Sequence, residues 1–123
     1  MSRLRFVMLA VGWLFLQGCA SMSTPATPVT SIDPLVGKWS GTVTIGQSVG
    51  FFYLTINPDR TLIAIWGDIT SRGTVSVANG QATYQMSPPP QEGSFKLYRG
   101  KGKPQLYMEN ITGSFYATVT PEN

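Results

Sequence analysis

Histidine is absent from the 123-residue chain, cysteine occurs once, and charged residues make up only 12% of it. The missing imidazole removes the commonest general base, proton shuttle and metal ligand together, and with them any Ser-His-Asp triad. A single cysteine cannot close an internal disulfide and is too few for a cysteine-based zinc site. The carboxylates Asp33, Asp59, Asp68, Glu92, Glu109 and Glu122 fall mostly in expected turns or at strand ends. No two share a spacing that pairs them as glycosidase acid and base or gathers a cation cage. No cofactor or metal is expected, and no enzymatic activity. A Ser-Lys dyad, the remaining route to catalysis, needs Lys38 or Lys96 buried beside a serine.

An excess of one charge is lacking too. The formal charge is +3, but Arg3 and Arg5 precede an apolar run; if they are cleaved away, 9 − 2 = 7 basic residues face 6 acidic ones. That near-neutral balance gives no electrostatic footprint for nucleic acid.

The one long apolar run is FVMLAVGWLFL, Phe6 to Leu16, behind the basic start MSRLR. As a helix its residues span about 16 Å, well short of a hydrocarbon layer of roughly 30 Å. The pattern predicts a cleaved signal peptide over residues 1–18 rather than a permanent span. Leu16-Gln17-Gly18-Cys19 then resembles the bacterial lipobox, where cleavage falls just before the cysteine. The resemblance implies that the Cys19 sulfur carries a diacylglyceryl group as a thioether, and that the freed Cys19 amine takes a further acyl chain. Two or more acyl chains anchor durably where one does not. Ala20, where this class often has Asp for inner-membrane retention, favours the outer membrane of a Gram-negative envelope.

Residues 19–36 read as the acylated cysteine followed by a flexible Ser/Thr/Pro tether. Its SMSTPATPVTSIDP stretch (Ser21 to Pro34) shows no periodic apolar face. At about 3 Å per residue it could hold a domain some 40 Å from the lipid.

From Gly37 the period changes. GKWSGTVTI alternates apolar or small residues with polar ones, the mark of a half-buried strand. FFYLTIN, TLIAIWG, GTVSV, QATYQM, SFKLY, QLYME and GSFYATVT follow, separated by turn signals such as NPDR, ANG, SPPPQEG and RGKGKP. TLIAIWG, apolar on both faces, predicts a central or flanked strand. Eight short strands and no helical stretch predict an all-β domain over 37–123. The expected form is a small up-and-down antiparallel barrel, because closure removes exposed edges; an open two-layer meander is the alternative.

The stretches LVGKWSG, LTINPDRTL, SRGTVSV and QATYQM resemble the small lipocalin-like domains of bacterial secreted proteins. Gly37-x-Trp39 is the matching element, and it implies a tryptophan plug at one barrel end with Gly37 letting the backbone pass close by. The last strand lacks the arginine that lipocalins place over that ring.

Two surface features remain. Arg99, Lys101 and Lys103 crowd one hairpin tip, either as a contact for an anionic surface near the membrane or as charges that keep an exposed hairpin soluble. Aromatic residues are numerous for so small a domain; most belong in the core, and the surplus lines a small cavity or forms a contact patch. The expectation is a membrane-anchored envelope protein whose β domain binds a small apolar ligand or a partner protein. The alternative is a structural or accessory lipoprotein without a small ligand, with an enzyme far behind.

Overall fold

The computed structural model describes residues 25–100 and 102–122. The expected signal peptide, Cys19, the tether up to Thr24, and Lys101 lie outside the described residues. Among the described residues the chain forms a short 3-10 turn, η1 (Asp33–Leu35), and eight strands. These are β1 (Gly37–Ile45), β2 (Ser48–Ile56), β3 (Thr61–Trp66), β4 (Ile69–Ala78), β5 (Gln81–Ser87), β6 (Gln91–Tyr98), β7 (Gln105–Asn110) and β8 (Phe115–Pro121).

Each strand pairs antiparallel with the next, and β8 returns to β1 over Trp39↔Pro121 to Ile45↔Phe115, closing the barrel. That closure excludes the open meander. Odd strands therefore run from one rim to the other and even strands return. The rim where β1 begins, called proximal here, carries the turns Asn57–Arg60 and Asn79–Gly80 and the β6–β7 loop. The distal rim carries the turns at 46–47, 67–68, 88–90 and 111–114.

Turn chemistry fixes the register. Asn79 and Gly80 both have positive φ, 55° and 76°, as a two-residue type I′ hairpin requires. At Asn57–Arg60, Pro58 supplies the second turn position and the Arg60 N–H donates to Asn57 O at 3.0 Å. Asp59 Oδ1 then accepts from the Thr61 N–H at 3.0 Å and from its hydroxyl at 2.6 Å. These bonds hold the exposed Asp59 carboxyl below its ordinary 3.8.

Three inward positions have no room for a side chain. A Cβ on Gly41, Gly73 or Gly93 would lie 2.0, 1.8 or 1.9 Å from a carbonyl oxygen of the neighbouring strand, on Thr118, Gln85 or Glu109. These glycines let β1, β4 and β6 bend where a small barrel must curve most sharply. Gly37 differs from its expected role: a Cβ there would meet nothing within 4 Å, and its φ of +136° is what suits glycine.

The interior is filled. Period-2 alternation turns Trp39, Val43, Phe52, Leu54, Ile56, Leu62, Trp66, Tyr84, Phe95, Leu106 and Phe115 inward, all buried. Phe52, Trp66 and Phe115 form a ring cluster with centroids 5.3–5.8 Å apart. Tyr84 stacks at a tilt on Phe95, 5.2 Å away. Apolar side chains point in while Thr and Ser are the commonest residues outside, the reverse of a barrel whose wall faces lipid. Among the described residues no helix is long and apolar enough to cross a membrane.

The second half of the expected tether is part of the fold. The Thr27 N–H bonds Leu97 O in an antiparallel bridge, and the Val29 N–H bonds Gly80 O at 2.9 Å. From there the chain crosses the proximal mouth to β1, burying Val29, Ile32 and Leu35. Residues at spacing three point one way into the opening and cap it. Trp39 sits beneath, buried as expected, and its Nε1–H donates to Leu35 O at 2.9 Å. The plug is thus tryptophan and cap together, and the folded unit begins about ten residues before Gly37.

β3 is a central strand, paired with β2 on one edge and β4 on the other. Its second apolar face lies on the outer wall, where Ile65 is 41% exposed.

Candidate functional site

Alternation that buries one aromatic exposes its neighbour. Phe52 is wholly buried, so adjacent Phe51 faces outward and is 76% exposed. Val49 and Tyr53 share that outer face of β2, with Ile65 opposite Tyr53 on β3. Tyr116 extends the apolar surface on β8, while Ile45 and Ile69, on the inward phase of β1 and β4, and Ile111 stand at the distal mouth beside the rim turns. Strand direction places these toward the distal rim, with Tyr53 at mid-wall. The aromatic surplus seen in the sequence therefore forms an outer patch.

Ile111 is held there by a built turn. Asn110 Nδ2 donates to Ser114 Oγ at 3.0 Å, and Asn110 Oδ1 accepts from the Phe115 N–H at 3.2 Å. The Gly113 N–H closes on Asn110 O at 3.1 Å, and the Ile111 N–H donates to Glu92 O across the rim. Part of the ordering cost is already met in such a loop, so an apolar side chain on it binds with a smaller entropy loss.

Charge separates the same way. Counting described residues, the proximal half holds Lys38, Arg60, Lys96, Arg99 and Lys103 against Asp33, Asp59 and Glu122, or 5 − 3 = +2. The distal half holds Arg72 against Asp68, Glu92 and Glu109, or 1 − 3 = −2. The barrel is thus basic where the N-terminal segment joins it, and apolar with an acidic fringe at the far rim.

Of the residues singled out in the sequence, Gly37 and Trp39 lie at the proximal mouth and serve its closure. Arg99 and Lys103 are exposed on either side of the β6–β7 loop, on the same rim. Lys38 and Lys96 are exposed on the outer wall, not buried beside a serine. Among the described residues no three His, Cys, Asp or Glu gather as metal ligands.

Inside, Trp66 Nε1, Ser71 Oγ and Tyr84 OH are buried without a hydrogen-bond partner. Burial first, and the Glu109 charge second, push the Tyr84 phenol well above its usual value, so it stays neutral. Tyr107 on the outer wall moves the same way, from desolvation and its bond with Glu109. The surface grooves open outward, between β4, β5 and β6, between β5, β6 and β7, and at the distal rim beside Pro89–Glu92 and Ile111. None of them is an apolar chamber along the barrel axis.

No protein-family model, curated protein or solved structure matches the chain.

Proposed function

We propose that this is a lipid-anchored protein of a bacterial outer membrane, acylated at Cys19, whose barrel offers its distal rim to a protein partner in the envelope. The carrying observation is the gathering of exposed large apolar side chains, Val49, Phe51, Tyr53 and Ile65 on the outer face of β2 and β3 and Ile111 on the distal rim, toward the end opposite the N-terminal segment. Contiguous apolar surface of this kind marks contact sites, and aromatic anchors dominate binding energy where they become buried. The filled interior favours this reading over a small apolar ligand held along the axis. The anchor rests on the basic start, the apolar run and Leu16-Gln17-Gly18-Cys19, which resembles a lipobox. No catalytic step belongs to the proposal.

The mass of the native mature N-terminus tests the anchor: it should begin at Cys19 and carry diacylglyceryl and acyl groups, and Cys19→Ser should leave an unprocessed precursor. An unmodified N-terminus, or normal membrane retention of that variant, refutes it. For the partner, a photo-crosslinking amino acid placed at Phe51 in cells should give a discrete adduct that the same group at Thr83, on the opposite outer wall, does not. Equal adducts from both positions, or none from Phe51, refute the docking rim, and an adduct of twice the chain's mass would mean self-association instead.

A further inference from the structure

The Thr27–Leu97 bridge carries directional information that the sequence does not. Because it is antiparallel, the chain running back from Thr27 toward its N-terminus travels alongside the chain running forward from Leu97, toward Tyr98 and Arg99. Residues 25 and 26 therefore lead away from the bridge beside the start of the β6–β7 loop. Only 27 − 19 = 8 residue steps separate Cys19 from the pinned Thr27. Covalent geometry limits these to about 28 Å even when fully extended. That is well under the reach of about 40 Å of the spacer the composition suggests.

We infer that the β6–β7 loop is a contact for anionic phospholipid headgroups, with Arg99 and Lys103 as its cations and Lys96 behind them on the wall. The inference rests on the anchored reading above. Three observations converge on it: the exit direction of the chain, its short leash, and the basic sign of the rim where it exits. An anionic leaflet attracts basic residues only within about a Debye length, roughly 8–10 Å, so a loop is useful there only if something holds it close. The leash keeps the loop within reach of the leaflet, so that it repeatedly enters this layer, and the contact then sets the orientation: proximal rim down, apolar rim away from the bilayer. A Cβ on Gly100 would meet nothing within 4 Å, so a side chain there enters open space.

The same open space makes the test feasible. A bimane-labelled Gly100→Cys variant of the full acylated protein is reconstituted into phosphatidylcholine vesicles, with or without about a third phosphatidylglycerol, and quenched by headgroup spin-labelled lipid. A matching Gln47→Cys label reports the distal rim. Quenching at position 100 should rise about threefold or more with anionic lipid, and the gain should vanish at high salt and in Arg99→Glu/Lys103→Glu. Quenching of the Gln47 label should respond to neither change, and urea midpoints should show that the charge-reversed variant still folds. Flotation with the vesicles, read in the same samples, reports the anchor. A protein that floats yet is quenched equally at both positions, or is indifferent to charge reversal, overturns the loop contact alone. One that stays in solution overturns the anchor on which the contact depends.

Discussion

Leu35→Ala separates a structural cap from a passive tether. In a flexible spacer the leucine side chain would lie in water and its truncation would change stability by no more than about 0.5 kcal/mol. In the fold it is wholly buried over the proximal mouth, and its own carbonyl accepts the Trp39 indole N–H. Leucine-to-alanine changes at fully buried sites cost about 2–5 kcal/mol, from lost transfer energy plus the cavity left behind. A value of about 3 kcal/mol is expected here, and for a domain of this size it lowers Tm by roughly 12–24 °C. Urea titration of the full chain, followed by intrinsic fluorescence, measures it directly, since Trp39 lies under the cap. Val49→Ala, at a position 70% exposed, is the matched control and should move the midpoint little. If Leu35→Ala unfolds within about 0.5 kcal/mol of the parent, the cap is not part of the cooperative unit and the corrected boundary is wrong.

Gly73→Ala should destabilise by about 1–3 kcal/mol or more in the same titration, because its Cβ has only a backbone carbonyl to displace; an unchanged midpoint would mean the strands can part there at no cost. Trp39→Phe keeps most of the buried ring but removes the donor to Leu35 O, and should cost about 1–3 kcal/mol, read as a lower urea midpoint. For Asp59, the carboxyl is held below 3.8 in the fold, so its contribution is complete above that pH and is lost as pH falls through the lowered value. Urea midpoints of wild type and Asp59→Asn should therefore converge on acidification and separate again toward neutrality; a constant gap would assign the effect to something other than ionisation.

The strands were legible because their inward residues alternate with hydroxyl and amide side chains, and because Asn79-Gly80 and Pro58 announce their turns chemically. The starts of β4 and β6 were not, since Ile69–Ser71 follow directly on a Gly67-Asp68 turn and Gln91–Gly93 sit behind three prolines. The cap escaped notice for a different reason. Val29, Ile32 and Leu35 are scattered among Pro, Thr and Ser, and composition averages them away. Their spacing of three was the available signal, but the pattern is too short to be read without the mouth it fills. For the candidate surface, the outward set followed from phase alone: fixing Phe52 inward fixes Phe51 outward. Which rim it occupies required the strand directions, and the loop beside the exiting chain required one bridge between residues far apart in sequence. That Gly37 is favoured by its φ rather than by crowding is likewise a backbone fact with no mark in composition.

The pairing of β8 with β1 sets a condition on how the molecule is made. The first strand synthesised finds its second neighbour only when the last one arrives, so sequence-distant contacts must wait for nearly the whole domain to emerge. Until then the growing sheet has two unsatisfied borders, each a template for pairing with another chain. Loss of the final strand would thus convert a self-contained ring into an open, adhesive ribbon, and truncated forms should be found in aggregates rather than as weakened monomers.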